Sequence, residues 1–108
     1  MGDYTTTHVS GQVGNDASDK VTAKSFEEEA ALCLANMAKV LERSGAGILD
    51  VVRITAYLTD LADYPVYSKA CGVAFAGAAL ASATMQVSGL LANAKLEIDA
   101  VAVVKTWR

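Results

Sequence analysis

At 108 residues the chain is long enough for one domain, and a lone domain of this size buries only a moderate core, so self-association would help it. Apolar residues make up 53% but aromatic ones only 6%; alanine fills much of the difference, which suits close packing of small side chains at helix faces or between subunits. A net charge of −3 with no block of like charge excludes a basic stripe for nucleic acid, while the absence of a signal-type start or of a membrane-length apolar run sets the expectation of a soluble, cytoplasmic protein with no membrane partner.

Tyr4 to Val13 is threonine-rich and β-branched, so it reads as a strand. The turn residues 14–19 follow, and a helix is predicted from Ser25. Ser25-Phe26-Glu27-Glu28 has the spacing of a capping box, and Glu27 to Glu29 suit the positive end of the helix dipole. Phe26, Ala30, Cys33, Met37, Val40 and Leu41 share one face; Glu29, Asn36, Lys39 and Arg43 fall mostly away from it. Ser44-Gly45-Ala46-Gly47 ends the helix with a glycine available for a left-handed cap.

Val51 to Leu58 alternates and predicts a second strand. Asp60 is a plausible N-cap for a second helix running from Leu61 to about Ala76, with Pro65 in the first turn or so, where its missing N–H costs little. Residues 76–79 read as a loop or a frayed helix end. Ser82 to Ser88 alternates, with Ala83, Met85 and Val87 on one face and Ser82, Thr84, Gln86 and Ser88 on the other. Residues 90–94 turn the chain into a last strand, Lys95 to Val104. There Leu96, Ile98, Ala100 and Ala102 oppose a face that starts with Lys95, Glu97 and Asp99. The order strand, helix, strand, helix, strand, strand is a single α+β domain over 1–108, a sheet with helices on one face.

Few groups offer chemistry. Cys33 and Cys71 lie among apolar helix neighbours and read as buried small hydrophobes; neither has metal-ligand spacing, and His8 is the only histidine, so no metal and no cofactor is expected. The glycines form no phosphate-binding fingerprint. Glu97 and Asp99 project from one side of their strand, either as a solvated face or as a carboxylate acting on water or a substrate amine. The face of Ser82, Thr84, Gln86 and Ser88 would line the same pocket if the last two strands are neighbours. No base for a serine nucleophile is evident. Arg53 reads as a structural residue that pairs with an acid of a neighbouring strand or subunit.

The run Asp50-Val51-Val52-Arg53-Ile54-Thr55-Ala56-Tyr57-Leu58-Thr59-Asp60-Leu61-Ala62-Asp63-Tyr64 resembles the central signature of the RidA (YjgF) family. Val9-Ser10-Gly11-Gln12-Val13, Val40-Leu41-Glu42-Arg43-Ser44-Gly45-Ala46 and Leu96-Glu97-Ile98-Asp99-Ala100-Val101-Ala102 resemble further family motifs, so the likeness covers nearly the whole chain. It implies a chorismate-mutase-like fold, a mixed sheet backed by two helices. It also implies a homotrimer whose sheets form a central barrel, with ligand clefts between subunits. Many members hydrolyse enamines and imines such as 2-aminoacrylate, with an arginine clamping the substrate carboxylate and a glutamate positioning water.

This sequence departs from that pattern. In Leu80-Ala81-Ser82-Ala83-Thr84, Ser82 stands where the resemblance places the arginine, and Leu80 replaces a proline. Serine has neither the charge nor the reach of guanidinium. Glu97 matches the water-positioning glutamate, Thr84 matches its motif position, and Ser68 stands where the pocket rim is often asparagine. Only Met1 to Val9 precede Ser10, where the family carries a longer segment with a tyrosine that covers the pocket. Either that wall is missing or the sequence begins late. The expected function is a small-molecule-binding trimer, its cleft lined by Ser10, Gly11, Ser68, Ser82 and Thr84 with Glu97 as the catalytic-type carboxylate. Its ligand is a small organic acid, imine or other small molecule, and 2-aminoacrylate deaminase activity is lost. The alternatives are an enamine or imine deaminase of altered specificity, with Arg53 or a lysine of an adjacent subunit as substitute cation, and an interaction or chaperone-like trimer.

Overall fold

The computed structural model describes residues 3–76, 78 and 80–106. Of the predicted loop 76–79, Gly77 and Ala79 lie outside the described residues. The elements are β1 (Asp3–Val13), α1 (Phe26–Arg43), β2 (Val51–Leu58), α2 (Tyr64–Ala74), β3 (Ala81–Gln86) and β4 (Leu96–Thr106). They form one four-stranded sheet in the order β1-β4-β2-β3. The strand β4 runs antiparallel to both β1 and β2, while β2 and β3 are parallel. Parallel neighbours need a crossover, and α2 supplies it. The predicted α+β class therefore stands, but β3 and β4 are not neighbours. The connection between them, residues 87–95, carries β4 past β2 to the far side.

Helix α1 begins as its sequence directs. Ser25 Oγ accepts the Glu28 N–H at 3.1 Å. Glu28 reaches back one residue beyond the box, where its Oε2 accepts the Lys24 N–H at 3.3 Å. At the other end Gly45 takes φ +82°, Gly45 N donates to Glu42 O and Ala46 N to Leu41 O. These two bonds make a Schellman cap, and a left-handed residue is what it requires. Asp60 caps the next turn by accepting the Ala62 N–H at 2.9 Å, but Leu61–Asp63 is a tighter 3₁₀ turn and the α-helix starts at Tyr64.

Both helices pack on one face of the sheet. Val9, Ile54, Ala56, Leu58, Leu96, Ile98, Ala100 and Ala102 meet Phe26, Ala30, Cys33, Leu34, Met37 and Leu41 of α1, with Tyr67 and Phe75 from the α2 side. Glu29, assigned by its spacing to the outer side of α1, is buried at 3% exposure. Its Oε2 accepts the N–H groups of Lys95 at 2.7 Å and Leu96 at 3.1 Å, so it fixes where β4 begins. Asn36, on the same flank, donates to the carbonyls of Val13 and Asn15 and ties down the end of β1. A buried or half-buried polar group is tolerated when its bonds are made, and Glu29 and the half-buried Asn36 both make them. Among the described residues no helix is long and apolar enough to cross a membrane.

Candidate functional site

Register decides which side chains can meet. In the parallel β2–β3 pair, Ile54 lies opposite Ser82 and Ala56 opposite Thr84. Ile54 and Ala56 are core residues, so Ser82 and Thr84 point to the helix side of the sheet. There they line a cavity of ≈ 260 Å³ beneath α2, together with Ile54, Tyr64, Tyr67, Ser68, Cys71, Gly72, Phe75, Ala78 and Leu80. The cavity exists because β3 is a short edge strand that α2 only partly covers. Among its described lining residues none is charged. Tyr64 and Tyr67 stand with ring centroids 6.2 Å apart.

Burial works against ionisation of the thiols in this region. Burial pushes Cys71 above its ordinary value of 9.0, and a hydrogen bond from Tyr67 offsets only part of that rise. Burial and the nearby Glu29 carboxylate push Cys33 up to about 12, and its Sγ donates to Gln12 O at 3.2 Å. Burial also raises the Tyr67 hydroxyl. All three stay protonated near neutrality.

Glu97 lies on the opposite face. It faces Tyr57 in the β2–β4 register, and Asp99 faces Thr55. The Tyr57 hydroxyl donates to Asp99 Oδ2 at 3.1 Å, and that bond raises the Tyr57 pKa. The β1–β4 register slips between Val9 and Gln12, so Ser10 and Gly11 together oppose Asp99 as a bulge. Gly11 closes on Glu97: a Cβ added there would stand 2.6 Å from Glu97 Oε2. Only glycine lets the carboxylate lie against this backbone.

The candidate residues therefore fall into two groups on opposite faces of one sheet. Ser68, Ser82 and Thr84 share the cavity beneath α2. Ser10, Gly11 and Glu97 gather on the uncovered face. The shared pocket within one chain, which required β3 beside β4, does not form: β2 intervenes and the two polar rows point apart. Arg53 lies opposite Ala81 and Val101 on the uncovered face, so it does not reach the Ser82 cavity of its own chain. His8 is on β1, at the far edge from β3, and no Ser-His pairing with Ser82 is possible within the chain. Of the lining that α2 contributes only Ser68 was anticipated; Tyr64, Tyr67 and Cys71 were missed, although their helical spacing could have revealed them. A larger groove of ≈ 670 Å³ runs between α1 and α2 on their outer side, lined mainly by apolar residues such as Ala31, Ala35 and Val73, with Glu27 and Lys69 as its charged groups. It lacks the converging hydroxyls of the smaller cavity.

Comparison with known proteins agrees with this architecture. The family model described as endoribonuclease L-PSP matches residues 3–104. The chain belongs to this family, the RidA/YjgF family. It is 40% identical over 98 residues to protein DfrA of Myxococcus xanthus, covering 90% of this chain and 75% of that protein. It is 33% identical over 99 residues to the 2-iminobutanoate/2-iminopropanoate deaminase of Rattus norvegicus, covering 91% and 72%. The crystal structure of RidA from Psychrobacter sp. PAMC 21119 superposes with a TM-score of 0.86 at 27% identity, covering 92% of this chain and 80% of that one. A Rid-family protein of Yersinia pestis gives 0.83 at 29%, covering 92% and 78%.

Proposed function

We propose that this chain is a trimeric small-molecule-binding protein. Its ligand cleft forms where the Ser82–Thr84 cavity of one copy meets the Gly11–Glu97 face of another. We further propose that it does not deaminate carboxylated imines such as 2-aminoacrylate. The observation that carries this reading is the uncharged lining around Ser82. A carboxylate entering it would give up hydration without gaining a countercharge. Loss of a bidentate charged contact costs a few kcal/mol, about a hundredfold or more in rate.

Assembly is supported by the uncovered face itself. Ala83, Val101 and Val103 are only half-buried there and Met85 is exposed, alongside the polar Thr55 and Tyr57. Packing such faces together would bury apolar surface that one chain leaves to water. The acidic balance supplies no site for RNA, whatever the wording of the family description.

A second reading is favoured by one observation, the Glu97 carboxylate held against Gly11. It leaves a positioned acceptor for a water proton. Water would add to the C=N carbon, the C–N bond would break, and ammonia would leave with the protons that water brought. That hydrolase would act on a substrate other than a carboxylated imine.

The deciding assay follows the decay of freshly generated 2-aminoacrylate with wild-type protein and with Ser82→Arg. The expected result is no acceleration by wild type and a gain in the variant. A wild type that already accelerates the decay overturns the proposal.

A further inference from the structure

The cavity beneath α2 offers a ligand two kinds of surface. Tyr67, Phe75 and Leu80 provide apolar walls, while Ser68, Ser82 and Thr84 provide hydroxyls that both donate and accept. No described lining residue brings a charge. On the uncovered face, Asp99 already accepts the Tyr57 hydroxyl, so Glu97 is the carboxylate left for a ligand. Arg53 shares that face but sits four positions along β2 from Tyr57, the cross-strand partner of Glu97. At ~3.3 Å per residue the two backbone positions stand roughly 13 Å apart along the strand. The cavity half thus offers an anion no countercharge, and the other half sets a carboxylate in its way, with Lys95, exposed two residues before Glu97, as the nearest cation in the sequence. One half accepts hydrogen bonds through a negative charge, and the other holds apolar bulk.

Resting on the inter-copy cleft proposed above, we infer that the ligand has no carboxylate. It is an uncharged compound whose apolar body lies under α2 and whose polar end presents N–H to Glu97 of a second copy, as an amide or an imine does. The serine at position 82 then selects for a different ligand class rather than merely leaving a gap. Its hydroxyl satisfies a neutral polar group that a guanidinium would leave mismatched.

The test is calorimetric titration of the full chain with phenylacetamide and phenylacetate, which share a body and differ in the head group. Wild type is expected to bind the amide at least about tenfold more tightly than the carboxylate. In Ser82→Arg the order reverses, and Ser82→Lys repeats the reversal should the arginine not be accommodated. Phenylacetate binding wild type as tightly as phenylacetamide overturns the inference. If wild type binds neither while the cationic variants bind phenylacetate, the cleft is real and only the ligand class is wrong. If folded variants and wild type all bind nothing, the inter-copy cleft falls and the inference with it.

Discussion

Glu29 is the buried charge on which the start of β4 depends. Two N–H groups converge on one of its carboxylate oxygens. Glu29→Ala leaves both unsatisfied and is expected to cost about 3 kcal/mol in urea unfolding. Glu29→Gln keeps an acceptor and should cost less. Gly11 separates stability from function. In Gly11→Ala the new Cβ meets the far end of a flexible side chain, so Glu97 swings aside while the strand survives. Unfolding free energy should change by less than about 1 kcal/mol, while any ligand contact through Glu97 is lost, a split readable by melting and titration on one sample. Cys33 contributes to the alkaline pH dependence. Its thiol is raised from 9.0 to about 12, so its contribution to stability is complete below pH 9 and fades as pH climbs toward 12, because the unfolded chain ionises first. Tyr67 adds to the same alkaline fall from its ordinary 10.0. Urea unfolding at pH 8 and pH 10 should show a smaller drop for Cys33→Ala than for wild type.

At the scale of the element, the Schellman cap of α1 makes a quantitative demand. Nothing lies within 4 Å of a Cβ at Gly45, so Gly45→Ala costs only the left-handed backbone, about 1 kcal/mol in urea unfolding. Such local features were legible in the residues. Ser25, Gly45 and the alternation of Val51 to Leu58 fixed element ends to within a residue or so, because capping and pleat act over a few positions. The placement of Glu29 was not legible. The reading of α1 put it mostly away from the apolar face, and only the arrival of the Lys95 and Leu96 N–H groups accounts for its burial. Strand order was likewise out of reach from spacing alone. Whether β3 and β4 are neighbours was left open, and what decides it is the pairing of β4 with β1 and β2, a non-local choice. The site suffered from the same cause: each polar row was readable, but the relation between the rows depends on β2 lying between them.

For the whole molecule, the sheet has one face under helices and one that no described element covers. Val101 and Val103 sit on the uncovered face, Val101 between His8 and Arg53 and Val103 opposite Thr6. Native mass spectrometry is expected to find trimers for wild type, and Val101→Glu should shift the population toward monomers by placing charge on the face proposed to be shared between copies. A wild type that remains monomeric at tens of micromolar would remove the basis for the cleft.

The division of Ser82 and Glu97 between two faces of one sheet also has a genetic meaning. If every working site draws one half from each of two copies, a chain with its cavity filled still lends a sound carboxylate to its neighbour. A chain without Glu97 still lends a sound cavity. Two alleles, each silent when alone, would then restore one another in a cell that expresses both, because mixed assemblies contain sites built only from undamaged halves.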